Sequence, residues 1–200
     1  MDIELILFDF GGVLAPEGFQ LGILKLAHVF NKSFEEMYNV AGYKAGRESG
    51  YTAGLIDEDE YWKIVAKMLG EDKDLKPYRY VFLDNFQPRD GMVELIGKLR
   101  KDYKTGLFSD QTNWLYDLDE KYNFMQLFDF DFVSCKLHFT KHDDEFYKIP
   151  AEKTGIPPDK IIVIDDKPRV IDKCIQAGMH THLFTSIEDC CEYLTNLKKL

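Results

Sequence analysis

The sequence predicts a doubly wound α/β fold: a five-stranded, mostly parallel sheet with an α-helical subdomain inserted after its first strand. Three observations carry this reading. Short apolar runs are continuous rather than alternating, as expected of parallel strands covered on both faces. Stretches with apolar residues at helical spacing separate those runs, which is the alternation that builds a parallel sheet. From about Pro16 to Pro88 the strand pattern stops and only helical spacing remains.

The five expected strands are Ile3 to Phe8, Thr105 to Phe108, Phe130 to Val133, Ile161 to Ile164 and Thr181 to Phe184. Helices are expected over Gly91 to Leu99 and around Val170 to Ile175, the second stopping at Gly178. Inside the interruption, Ser33-Phe34-Glu35-Glu36 and Asp57-Glu58-Asp59-Glu60 read as capping boxes that start helices. The aromatics Trp62, Tyr78, Tyr80, Phe82, Phe86 and Trp114 are expected to pack in the core or between core and insert. The organisation is therefore a core of residues 1–14 and 90–200 with a helical insert of residues 15–89.

Bulk properties narrow the function. The chain of 200 residues is 45% hydrophobic and 30% charged, ordinary values for a folded soluble protein. Its net charge of −10 repels polyanions, which excludes nucleic acid and anionic membrane as expected partners. The N-terminal apolar run ends at Asp9, too short and too acidic for a signal peptide, and no stretch is long enough to cross a bilayer. Cys135, Cys174, Cys190 and Cys191 form no CxxC and no Cys/His cluster, so neither zinc nor a disulfide framework is indicated. Reduced thiols and a cytoplasmic location are the expectation.

In open parallel sheets, ligands bind beyond the carboxyl ends of the strands. The first strand ends in Asp9-Phe10-Gly11-Gly12, the second in Ser109-Asp110 and the fourth in Asp165-Asp166, while Lys141 follows the third. Each residue alone is ordinary: an acid after a strand, a turn serine, a surface lysine. Together they have one chemistry. Carboxylates without His or Cys are hard oxygen ligands suited to Mg²⁺. A carboxylate can also attack phosphorus, while a lysine, a hydroxyl and a metal offset the negative charge of the phosphate. Gly11-Gly12 lets the backbone turn sharply and approach a ligand closely.

This ordered set resembles the four motifs of the haloacid dehalogenase-like hydrolases. The first motif is similar to Phe8-Asp9-Phe10-Gly11-Gly12-Val13-Leu14, and the second to Leu107-Phe108-Ser109-Asp110. The third is similar to Lys141-His142-Asp143-Asp144-Glu145-Phe146-Tyr147, and the fourth to Ile161-Ile162-Val163-Ile164-Asp165-Asp166. The resemblance implies a Rossmann-like core with the insert as a small helical cap. It also implies a Mg²⁺-dependent phosphatase acting on a small phosphorylated metabolite through an aspartyl-phosphate at Asp9. Ser109, Lys141 and Asp165 would be further catalytic residues, with Asp165 orienting Lys141 or the metal's waters. Asp9, the Gly11 carbonyl and Asp166 would hold the metal. Gly12, Ser109, Asp110, Asn113 and Lys141 would bind substrate.

One position departs from the pattern. Family phosphatases carry a second Asp two residues after the nucleophile as general acid and base, and here that residue is Gly11. General acid–base catalysis is worth about 10²–10⁴-fold, so a replacement is expected. Glu17, His138 and His142 are the candidates. Two other readings follow from the same departure. One is metal-independent dehalogenation with Arg47 as the halide-binding cation, or phosphonate cleavage through Lys44. The other is a catalytically degenerate member that binds a phosphorylated ligand or a protein partner.

Overall fold

The computed structural model describes residues 2–197. Five strands form one sheet: β1 (Leu5–Phe8), β2 (Lys104–Ser109), β3 (Phe130–Val133), β4 (Ile161–Asp165) and β5 (His180–Leu183). Their order is β3-β2-β1-β4-β5 and every pairing is parallel. β1 is thus central, with β2 and β4 on either side. In register, Phe8 stands opposite Leu107 and Ile164, so Asp9, Ser109 and Asp165 leave the sheet at one end.

Alternation along each strand sends side chains to opposite faces. Ile6, Phe8, Leu107, Ile162 and Ile164 join one buried cluster, and Leu5, Leu7, Phe108, Ile161 and Val163 join another. The first cluster is closed by α5 (Asp90–Leu99), α6 (Trp114–Tyr122) and α10 (Ile187–Leu197). The second is closed by α9 (Pro168–Gln176), while α7 (Ser134–Leu137) and α8 (Ile149–Thr154) are short connecting turns. β5 departs from the expected buried run. It begins and ends one residue earlier and is only half-buried, because an edge strand of His180, Thr181 and His182 packs on one side alone.

The insert carries α1 (Gly18–Val29), α2 (Phe34–Met37), α3 (Glu58–Leu69) and α4 (Tyr80–Leu83) around a core of its own. Ser33 caps α2 with a complete capping box, and Asp57 caps α3 by accepting the Glu60 N–H at 2.8 Å. Ile23, Leu26, Met37, Trp62, Val65 and Phe82 are buried there, and Trp114 enters the same cluster from α6. Phe86 is buried as expected, whereas Tyr80 is 54% exposed. Between α2 and α3, Tyr38–Glu48 forms a π-helix, a rare wide helix frequent at functional sites. All four cysteines are free thiols, and no helix among the described residues is long and apolar enough to cross a membrane.

Candidate active site

A cavity of about 380 Å³ lies at the carboxyl end of the sheet, between the core and the helical insert. Asp9, Ser109, Asp110 and Lys141 line its floor, and Tyr38, Tyr43 and Arg47 line it from the π-helix. The residues of that helix that reach the cavity, Tyr38, Gly42, Tyr43, Gly46 and Arg47, recur every four to five positions. A wide helix presents one face at that spacing.

Asp9 leaves β1 almost fully buried, 7% exposed. Its Oδ1 accepts three hydrogen bonds: from the Phe10 N–H at 2.8 Å, from Ser109 Oγ at 2.6 Å and from Lys141 Nζ at 2.9 Å. No donor among the described residues reaches Oδ2, so one oxygen is held still while the other is available for chemistry. Burial raises the Asp9 carboxyl to about 7; Lys141 opposes the rise, Asp165 adds to it and Ser109 opposes it.

Lys141 is itself 4% exposed and joins the strands. Its ammonium donates to Asp165 Oδ2 at 2.6 Å, its backbone N–H to Asp110 Oδ1 at 2.8 Å, and its carbonyl accepts from Tyr147 at 2.7 Å and Arg169 at 2.6 Å. Burial alone would lower this lysine, but Asp165, Asp9 and Asp110 outweigh it and raise the ammonium above its ordinary value. It is a fixed positive charge at neutral pH.

The two acids after β4 have different surroundings. Asp165 is fully buried and both oxygens are used, Oδ1 by the Lys167 N–H at 2.8 Å and Oδ2 by Lys141. Asp166 gives Oδ2 to Lys167 Nζ at 2.7 Å, while its Oδ1 is buried without a hydrogen-bond partner among the described residues. Asp9, Asp165 and Asp166 offer oxygens within 4.8 Å of one another. An oxygen-only donor set with one orphaned carboxylate oxygen fits a hard divalent cation.

The turn after β1 fits the same purpose. Leu14 and Ala15 donate back to the carbonyls of Asp9 and Phe10, and Arg89 clamps those of Gly12 and Val13 at 2.8 and 2.9 Å. Among the described residues no donor reaches the Gly11 carbonyl. Gly12 adopts φ +93°, and a Cβ there would overlap the Asp166 carboxylate, so only glycine fits beneath that acid.

Comparison with known proteins gives the family and the fold. The sequence model of the haloacid dehalogenase-like hydrolases matches residues 3–178. The chain belongs to that family. Flavin mononucleotide hydrolase 1 of Arabidopsis thaliana is 28% identical over 148 residues, covering 74% of this chain and 60% of that protein. A HAD-like family hydrolase from Porphyromonas gingivalis shares the fold over 100% of both chains, with a TM-score of 0.82 and 20% identity. A HAD-family enzyme from Bacteroides thetaiotaomicron, solved with magnesium and inorganic phosphate, has a TM-score of 0.75 and 20% identity over 92% of this chain and 94% of its own.

As a haloacid dehalogenase-like chain, this protein brings Asp9, Ser109, Asp110 and Lys141 to one cavity, with Asp165 and Asp166 behind them. Two residues expected to bind substrate lie elsewhere. Asn113 is outside the cavity: it accepts from the Tyr51 hydroxyl at 2.6 Å and donates to Glu58 at 3.0 Å, which ties insert to core. Gly12 lies under Asp166 and opens on a separate surface pocket with Arg89 and Phe184. Of the proposed replacements for the missing acid, Glu17 and His142 line the cavity. His138 instead bonds the Ala53 carbonyl through Nδ1 at 2.9 Å. Arg47 lines the cavity, whereas Lys44 pairs with Glu48 at 2.6 Å on the exposed side of its helix.

Sequence reasoning missed Lys167 and Arg169. Lys167 spans Asp166 and Glu17, and Arg169 fixes the Lys141 carbonyl from α9. Partial desolvation at the cavity mouth, with the guanidiniums of Arg169 and Arg47, lowers His142 to about 4 and keeps its imidazole neutral. The missed signal is positional: both cations stand within four residues of the Asp165-Asp166 pair.

Proposed function

We propose that this chain is a Mg²⁺-dependent phosphatase that hydrolyses a small phosphorylated metabolite through an aspartyl-phosphate at Asp9. One observation carries the reading: Lys141 contacts both Asp9 and Asp165, while Ser109 holds the same Asp9 oxygen. That arrangement orients a carboxylate inside a buried site and opposes the rise that burial imposes on it, as a nucleophile requires.

Asp9 Oδ2 attacks the phosphorus of the substrate, and the ester bond breaks on the opposite side. Ser109 and Lys141 hold the phosphoryl oxygens, and the Asp165 carboxylate keeps Lys141 in place from behind. Asp9, the Gly11 carbonyl and Asp166 are the groups that would hold Mg²⁺. Bound there, the ion supplies positive charge against the repulsion between carboxylate and phosphate. Residues 15–89 act as the cap that covers the cavity, and Tyr38, Tyr43 and Arg47 come from it.

Phe19, Tyr38, Tyr43 and Phe86 surround the cavity. Planar rings of this kind favour a substrate with a flat apolar body beside its phosphate, and the flavin mononucleotide hydrolase relative supports the same preference. A panel of phosphomonoesters that includes flavin mononucleotide, assayed with and without Mg²⁺, tests the reading. Metal-dependent phosphate release is the expected result, and no turnover on any member overturns it.

A further inference from the structure

Gly11 removes a proton carrier from the first motif, and the structure places another acid beside the gap. A Cβ built on Gly11 would have three nearest side-chain neighbours: Phe86 Cε1 at 3.7 Å, Gln111 Nε2 at 3.9 Å and Glu17 Oε1 at 3.9 Å. Only the carboxylate can exchange a proton. Position 11 is therefore open, and Glu17 reaches toward the space an acidic side chain there would fill.

The path of the chain aims Glu17 that way. It stands at the N-cap of α1, where a side-chain oxygen normally accepts the free N–H groups of the first turn. Glu17 makes no such hydrogen bond. Its carboxylate lines the cavity instead, with Oε2 held by Lys167 Nζ at 2.9 Å. The next residue, Gly18, packs so closely on the Phe86 ring that a Cβ would overlap it, which pins the backbone at this point. Phe86 is also the nearest atom to the open position at Gly11, so one ring positions both sides of the gap.

We propose that Glu17 is the general base, and in the next turnover the general acid, of the phosphatase reaction; this rests on the function proposed above. In the second half-reaction Glu17 removes a proton from water, and the water oxygen bonds to phosphorus. The bond from phosphorus to Asp9 breaks, its electron pair returns to the Asp9 carboxylate, and inorganic phosphate leaves. Glu17, now protonated, gives that proton to the leaving ester oxygen when Asp9 attacks the next substrate, and the alcohol departs. Lys167 holds Oε2 of Glu17 at 2.9 Å and so fixes the orientation of the carboxylate for the water step.

The test uses p-nitrophenyl phosphate, whose phenolate leaves without needing a proton, so the first half-reaction survives loss of the acid. The Glu17→Gln variant should release one p-nitrophenolate per chain in a burst and then turn over about 10²–10⁴-fold more slowly than wild type. Intact mass should show one phosphoryl group on the chain, mapped to Asp9. Gly11→Asp added to Glu17→Gln should restore most of the turnover and remove the adduct, since ordinary contact distances leave room for that side chain. A Glu17→Gln variant as fast as wild type overturns the assignment. So does a slow variant with neither burst nor adduct, which marks a structural role only. A wild-type chain that hydrolyses no phosphomonoester overturns the proposed function together with this assignment, whereas the first two outcomes overturn this assignment alone.

Discussion

Lys141 Nζ stands 2.9 Å from Asp9 Oδ1, on the one Asp9 oxygen that also accepts from Ser109 and Phe10. The opposite oxygen, Oδ2, is thereby left without a donor among the described residues. The same ammonium continues to Asp165 at 2.6 Å, so the ends of β1 and β4 share a single buried cation.

Removing that cation strands two carboxylates in a site with little water. Breaking a buried pair by deleting one partner costs about 3–5 kcal/mol. Lys141→Ala should lose roughly that much stability in urea denaturation, and its melting temperature should fall by roughly 6–20 °C. Lys141→Ala with Asp165→Asn should recover part of the loss, because one stranded charge goes with it. A single variant as stable as wild type would show the pair to be solvated rather than buried.

The two glycines after Asp9 should behave differently. At Gly12 a side chain needs both a left-handed backbone and the volume held by Asp166. Gly12→Ala should cost about 1–3 kcal/mol and should weaken Mg²⁺ binding by displacing Asp166, read by calorimetry on the purified protein. At Gly11 a Cβ meets only ordinary contacts, so Gly11→Ala should keep its stability within about 0.5 kcal/mol of wild type. Equal destabilisation of both variants would contradict this account of the turn.

How much of this was legible follows from where the determining forces act. The ends of β1, β2 and β4 could be read because a continuous apolar run stopping at a polar residue marks a central parallel strand and its carboxyl end together. β5 was less legible: His180-Thr181-His182 sits at an edge, where one-sided burial imposes no apolar run. The π-helical Tyr38–Glu48 segment was readable as a helix but not as a wide one, since period alone does not fix the hydrogen-bond register. The cap at Asp57 was legible, although the return bond from Glu60 that would complete a capping box is not made. The role of the next residue, Glu58, was not legible. Glu58 is 8% exposed and meets groups from both insert and core, a convergence made only by tertiary packing. The surroundings of Asn113 were not legible for the same reason: it follows β2 in sequence yet turns toward Glu58 in space.

Glu58 gives a test of how insert and core are joined. Its carboxylate accepts from the indole N–H groups of Trp62 at 3.2 Å and Trp114 at 2.8 Å, from Asn113 at 3.0 Å, and it faces the Arg79 guanidinium at 3.2 Å. An unsatisfied buried partner costs about 1–3 kcal/mol. Glu58→Ala should therefore lose about 2–4 kcal/mol. The loss is reported directly by fluorescence, since Trp62 and Trp114 are the two tryptophans of the chain. Glu58→Gln keeps an acceptor oxygen and the shape, and should lose less. Equal loss in both would assign the effect to charge rather than to hydrogen bonding.

The last prediction concerns pH and the metal. Burial raises the Asp9 carboxyl to about 7 in the metal-free protein, whereas a carboxylate must be ionised to hold a cation. The sign follows. Above about pH 7 Asp9 is already ionised and Mg²⁺ affinity should be flat. Below it, binding must first expel a proton, so the apparent dissociation constant should rise about tenfold per pH unit. Calorimetric titrations in two buffers of different ionisation enthalpy should show proton release approaching one per Mg²⁺ at the acid end and none at the alkaline end. Asp9→Asn should bind Mg²⁺ more weakly and lose the slope, because the titrating ligand is gone. A slope that persists in Asp9→Asn would show that the expelled proton does not come from Asp9.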